Sequence, residues 1–260
     1  MRKHTINENY FERIDNEKKA YLLGFIFADG CVQILPTTSA LTASQMERDK
    51  DILESMKKEL LSDYPLLEIS VKGTDQKKYN FYAYNRKLCG DLIKLGVCPR
   101  KSLILKFPDY LDEELVRHFI RGYFDGDGCI WDGKRKKMLV KDATCKNGHR
   151  NRIVHNVKFT FTGVDSFIKV LQEKLINEAG LNKTKLNYSK AKNPNNSTSK
   201  NVCSIEYSGR NNIKKIFHYM YDGATIFGKR KFNKFNEILC AFDEKSSNET
   251  ELIAGNPLEP

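Results

Sequence analysis

The hydrophobic and polar positions of this 260-residue chain follow a pattern that is written twice. Residues 21–30, YLLGFIFADG, form an apolar run that ends in an acid and a glycine, and residues 119–128, FIRGYFDGDG, repeat it with Asp29 and Asp127 standing 98 residues apart. After the first run, CVQILPTTSALTASQM sets Thr, Val and Ile in polar alternation, which predicts strands. A 3.6-residue period from about Arg48 to Leu61, with Ile52, Leu53, Met56 and Leu60 on one face, predicts a helix. Strand patterns at LEISVKG and YNFYAYN follow, then a helix RKLCGDLIKLG closed by glycine. The second run is followed by the same order: strands near CIWDGK and IVHNVKFTFTGV, a helix DSFIKVLQEKLINEAG opened by Asp165 and closed by Gly180, strands at LNKTKLNYSK and NVCSIEYSG, and a helix RNNIKKIFHYMYDG. The pattern predicts an α+β fold of two pseudo-symmetric αββαββα units, 1–108 and 109–245. A polar, acidic, Pro- and Gly-containing tail at 246–260 is expected to be disordered. The basic run 132–152 and NPNNSTSKN at 193–201 read as long turns or loops.

One apolar run ending in Asp-Gly is ordinarily a helix followed by a turn. Two copies with matched Gly, Asp, Gly and Cys (Cys31 and Cys129) ask for more. In a helix, Gly24 and Ala28 lie four apart on one face, as do Gly122 and Gly126, and small residues at that spacing let two backbones approach closely. If the two faces pack in parallel, the C-terminal ends meet and bring Asp29 and Asp127 together where both helix dipoles are negative. Such a pair needs either a raised pKa or a bound cation, and Mg²⁺ accepts carboxylate, carbonyl and water oxygens together.

Composition narrows the partners. The chain is 40% hydrophobic with a mean hydropathy of −0.55, which fits a soluble globular protein. No apolar stretch reaches the roughly 20 residues of a spanning helix, and MRKHTINENYFERID has no apolar core to act as a signal peptide. The protein is expected to remain where it is made, in a cytoplasm or nucleoid or in an organellar matrix, and not to be secreted. Seven cysteines with no CxxC pair argue for reduced thiols. Cys145, His149 and His155 match no standard zinc spacing, so that segment reads as a basic loop. The net charge of +11 and the pI of about 9.2 nominate a polyanion without choosing one.

LLGFIFADG and IRGYFDGDG resemble the two copies of the motif that names the LAGLIDADG homing endonucleases, and the resemblance runs over nearly the whole chain in element order. YFERIDNEKKAYLLGFIFADG, PRKSLILKFP and ATIFGKRKFNKF are similar to segments of the intein- and intron-associated branch. One departure is Phe27, which stands where copy two keeps the first acid of the motif as Asp125. Only the second acid is expected to bind metal in this family, so Phe27 is assigned to the core.

The resemblance implies saddle-shaped antiparallel sheets packed through the two motif helices, Gly24, Ala28, Gly122 and Gly126 forming the helix interface. It implies a monomer that hydrolyses one phosphodiester in each strand of double-stranded DNA at a long, loosely pseudo-palindromic target. Mg²⁺, with Mn²⁺ or Ca²⁺ able to occupy the same sites, is expected between Asp29 and Asp127 and the carbonyls of Ala28 and Gly126. A catalytic lysine from each half is implied, Lys101 in PRKSLILKFP and, as its counterpart, Lys229 in ATIFGKRKF, with Arg230 and Lys231 competing for the second role. Strands that enter the major groove would read bases through polar residues on alternating positions. Those are Gln33, Thr37, Thr42, Ser44, Gln45, Lys72 and Tyr82 in the first unit, and Trp131, Lys134, Arg135, Lys137, Lys158, Thr160 and Thr162 in the second. An intron RNA maturase and a cleavage-deficient DNA-binding regulator are the alternatives on the same scaffold. An intein is not expected, because the chain begins with Met and ends NPLEP without a His-Asn terminus.

Overall fold

The structure is a computed structural model that describes residues 4–97, 104–138, 151–188 and 201–254, with side chains described for all of these but 134–138, 151–155 and 244–254. The first unit contains α1 (Glu17–Asp29), β1 (Gly30–Ile34), β2 (Ser39–Met46), α2 (Lys50–Glu59), β3 (Leu66–Ser70), β4 (Lys77–Tyr84) and α3 (Arg86–Lys94). The second contains α4 (Glu113–Asp127), β5 (Gly128–Met138), β6 (Asn151–Val164), α5 (Asp165–Ala179), β7 (Asn187–Tyr188), β8 (Val202–Ser208) and α6 (Arg210–Tyr221), followed by α7 (Lys229–Ala254). Each unit carries one four-stranded antiparallel sheet, ordered β1-β2-β4-β3 and β5-β6-β8-β7.

The two apolar runs are the helices α1 and α4. Every residue of α1 from Ala20 to Phe27 is buried, as a helix must be when it is apolar all round and clasped between two halves. At the crossing the helix backbones touch: a Cβ placed on Gly24 would overlap Phe119 O, and one placed on Gly122 would overlap Tyr21 O. Lower down, a Cβ on Gly126 would overlap Ala28 Cβ. All four small residues expected at the interface therefore lie in it. α2 is amphipathic instead and buries Ile52, Leu53 and Met56 against the first sheet.

The sheets alternate in the same sense. In the first, Val32, Leu41, Ala43, Phe81 and Ala83 point into the core, while Cys31, Gln33, Thr42, Ser44, Tyr82 and Tyr84 lie on the opposite, open face. In the second, Phe159, Phe161, Ile205 and Tyr207 point inward and Trp131, Lys158, Thr160 and Thr162 outward. Phe124, Phe159, Phe161 and Phe235 form one aromatic cluster that ties α4, β6 and α7 together.

Three expectations change. The strand read over 181–190 is only Asn187–Tyr188 among the described residues. The basic run 132–152, read as a loop, is strand at both ends, since β5 and β6 pair from Gly128↔Phe161 to Met138↔Asn151. Residues 229–254 form a further helix, α7, which takes in 246–254 of the segment expected as tail; 255–260 lie outside the described residues.

Candidate active site

Because α1 and α4 pack through small residues, their C-terminal ends sit side by side. Asp29 is the last residue of α1 and Asp127 the last of α4. The Asp29 carboxylate lies against the end of α4, with Oδ2 3.3 Å from the point where a Gly126 side chain would begin. Each helix then passes straight into the first strand of its sheet through Gly30 or Gly128. The acids are therefore held at the junction of both helices with both sheets.

The surroundings of the two acids differ. Gln45 Nε2 donates to Asp29 Oδ2 at 2.5 Å. Gln45 was expected among the DNA-reading residues, but it shares the strand parity of Leu41 and Ala43 and is 9% exposed. It belongs to the helix-facing side of the sheet and serves the acid. Register places Ala43 opposite Gly30 and Phe161 opposite Gly128, so the position matching Gln45 in the second unit, two residues on, is Gly163. A Cβ there would stand 2.5 Å from Tyr123 Oη, which donates to Thr162 O at 2.9 Å. Tyr123 in turn replaces Phe25 of the first unit. Beside it, a cavity of about 240 Å³ is lined by residues that include Asp127, Ala28, Tyr123 and Gly163.

The three basic neighbours 229–231 are placed differently. The Lys229 side chain is exposed and its backbone N donates to Asp51 Oδ2, while Arg230 forms a two-pronged pair with Asp49 at 2.6 and 3.0 Å. Lys231, 6% exposed, directs Nζ onto the end of α4: to Phe124 O at 2.6 Å, Asp125 O at 2.9 Å, Gly128 O at 2.6 Å and Gly126 O at 3.3 Å. A cation there offsets the negative end of the helix dipole. Burial lowers its pKa, and the neighbouring Asp125 opposes that. Lys101 lies outside the described residues.

Asp125, where copy one has Phe27, is buried and accepts from Tyr21 Oη and from Gly228 N, both at 2.7 Å. Burial raises its pKa to about 6. It fastens the segment ahead of α7 to α4 and so carries Lys231 to its place. A second clamp lies near the other end of the helix pair. Arg121, fully buried, donates to Ile226 O, Met220 O, His118 Nδ1 and Glu17 Oε1, and Glu17 also accepts from Thr225 N and Oγ1.

The remaining reading residues are dispersed over the sheets. Gln33, Thr42, Ser44 and Tyr82 share the open face of the first sheet, and Trp131, Lys158, Thr160 and Thr162 that of the second. Lys158 is paired with Glu206 at 2.7 Å. Thr37 lies in the β1–β2 turn, where its carbonyl accepts from Arg86, and Lys72 in the β3–β4 turn. Lys134, Arg135 and Lys137 are β5 positions opposite His155, Val154 and Arg152, with side chains outside the description.

The donor set fits a hard divalent cation. No group of three or more His, Cys, Asp and Glu side chains suited to a metal occurs among the described residues, so a metal at the helix ends would take two carboxylates, carbonyl oxygen and water. Gly126 O already accepts from Lys231, but a carbonyl has a second lone pair.

No protein-family model matches the chain, and no curated protein does. Solved structures do. The chain is similar to the I-LtrWI LAGLIDADG homing endonuclease bound to its target DNA, with a TM-score of 0.53 at 14% identity over 93% of this chain and 92% of that one. It is similar to the LAGLIDADG meganuclease I-CpaMI bound to uncleaved DNA, with a TM-score of 0.52 at 14% identity over 93% and 98%. The fold is that of the single-chain, two-repeat LAGLIDADG homing endonucleases.

Proposed function

We propose, from this fold and this site, that the chain is a sequence-specific endonuclease that hydrolyses one phosphodiester in each strand of double-stranded DNA with a divalent metal ion. The observation that supports the reading is the placement of Asp29 and Asp127 as the last residues of α1 and α4, whose ends touch through Ala28 and Gly126, each helix leading into its own sheet. The structural neighbours, which were solved on DNA, support DNA as the partner. One chain supplies both halves, so a monomer suffices.

Asp29, Asp127 and the Ala28 and Gly126 carbonyls would hold Mg²⁺, or Mn²⁺ or Ca²⁺ in its place. When bound, such an ion supplies an activated water and charge stabilisation at the attacking and leaving oxygens. The chain's own groups do the rest. Gln45 orients the Asp29 carboxylate through Nε2. Lys231 places a fixed positive charge beside the Asp127 end, where developing phosphorane charge is stabilised without reorganisation. Lys101 is proposed for the matching role in the first half. The open faces of the two sheets track the major groove on either side.

The test is cleavage of a plasmid that carries the insertion-free form of the gene's native locus, with Mg²⁺ and with EDTA. The expected product is linear DNA with Mg²⁺ alone, lost in Asp29→Asn and Asp127→Asn while both variants still shift the target duplex. Persistent double-strand cutting by both variants would remove the acids from the mechanism.

A further inference from the structure

The open face of the first sheet is not uniformly polar. Register sets out its rows across β1, β2, β4 and β3: Gln33 beside Ala40 and then Tyr84, Cys31 beside Thr42 and Tyr82, Ser44 beside Asn80 and Leu67, Met46 beside Lys78 and Ile69. Much of the hydrogen-bonding capacity in the middle rows is turned inward. Ser44 Oγ donates to Asn80 Oδ1 at 2.7 Å, Asn80 Nδ2 donates to Tyr82 Oη, and Thr42 Oγ1 donates to Cys31 O. What the third and fourth rows hold out to solvent on β3 is apolar: Leu67 is 47% exposed and Ile69 45%. No acid lies on this face. The second sheet differs, for its outward face presents Trp131, the Lys158–Glu206 pair, Thr160, Thr162 and Ser204.

Leu67 and Ile69, two apart on one edge strand, together form a small half-exposed apolar patch beside the polar rows. If duplex DNA covers this face, the chemistry left to them in the major groove is the C5 methyl of thymine, the one apolar group that base edges present there. Resting on the DNA-cleavage reading above, we propose that Leu67 and Ile69 are specificity-determining residues that pack against thymine methyl groups in the half-site covered by the first sheet. Their spacing adds a constraint. Positions two apart on a strand are about 6.8 Å from each other, and stacked bases rise about 3.4 Å per step, so the two thymines are expected about two base pairs apart.

The experiment is a binding selection by the full chain, in EDTA to hold the DNA uncut, from duplexes with randomised positions. The selected thymines are then replaced one at a time by deoxyuridine, which lacks only the methyl group. A T·A pair is expected at two positions of one half-site, and each uracil should weaken binding about fourfold, the size of burying one methylene-sized group. In Leu67→Ala or Ile69→Ala, each with unaltered melting temperature, one of the two uracil penalties should vanish. A selected half-site without paired thymines, or a uracil penalty that survives both substitutions, overturns the assignment and leaves the nuclease reading intact. Failure to select any sequence overturns both, because sequence-specific DNA binding would then be absent.

Discussion

The two helix ends that carry Asp29 and Asp127 have the same backbone and different side-chain support. At the first, an amide from β2 reaches the carboxylate. At the second, the matching position is Gly163, and the Tyr123 hydroxyl occupies the space that a side chain would need. The changes Phe25 to Tyr123 and Gln45 to Gly163 are therefore one exchange, in which a hydroxyl gained on the helix excludes a side chain on the strand. Elements that both halves must share to meet at all, the small residues and the terminal acids, are matched. Groups that act on one acid alone have diverged.

The strongest test of that division is at the shared part. Gly24→Ala and Gly122→Ala each drive a Cβ into a carbonyl of the opposite helix, which is backbone and cannot rotate away. Each is expected to cost at least about 3 kcal/mol of stability in urea titrations, and the two losses should be similar. A large loss at one glycine with a neutral result at the other would show that the crossing is not reciprocal.

Next in size is Lys231→Met, which keeps the length of the stem and deletes the charge. Removing a fixed donor next to developing charge typically costs about 100-fold or more. The loss should fall on one strand, so the variant should accumulate nicked circles on a strand-labelled plasmid. Lys229→Met, whose side chain is exposed, is expected to cut within about twofold of the parent. The reverse result would return the second catalytic lysine to Lys229.

Gln45→Ala is smaller. Loss of one hydrogen bond to a charged group is about 1.5 kcal/mol, or about tenfold in rate. It should slow one strand and leave the other within about twofold, making the two half-sites more alike. Equal slowing of both strands would mean that Gln45 supports the interface as a whole.

Much of this arrangement was legible in the chain. The helix crossing followed from glycine and alanine at four-residue spacing, and the acids from their place at the end of each run. The role of Gln45 was written in strand parity, since Leu41, Ala43 and Gln45 alternate together, but its polarity drew it to the reading face. α7 also left a trace in Phe232, Phe235, Ile238 and Phe242, at spacings of three and four among charged residues. Lys231 could not be separated from its neighbours by sequence, because what distinguishes it is a contact with carbonyls more than 100 residues away. The link between Tyr123 and Gly163 is likewise visible only once α4 lies on β6.

A last test concerns stability alone and the clamp near the N-terminal end of α1, where the halves differ again: His118 and Arg121 in α4 stand where α1 has Ala20 and Leu23. Arg121 Nη1 donates to His118 Nδ1 at 2.9 Å, so that nitrogen must be the unprotonated one. Burial and the Arg121 charge lower the pKa of His118 to about 4, with Glu17 opposing them. The unfolded chain takes up this proton near pH 6.5, whereas the folded chain resists it until about pH 4. The stabilisation is therefore complete above about pH 6.5 and is lost as pH falls toward 4. His118→Gln keeps an acceptor for Arg121 and has no proton to gain. Its melting temperature relative to the parent should be flat from pH 7 to 8 and rise by about 5 °C on going from pH 7 to pH 5. A difference that stays level across that range would mean that His118 is protonated equally in the folded and unfolded chains, and that Glu17 rather than Arg121 sets its charge.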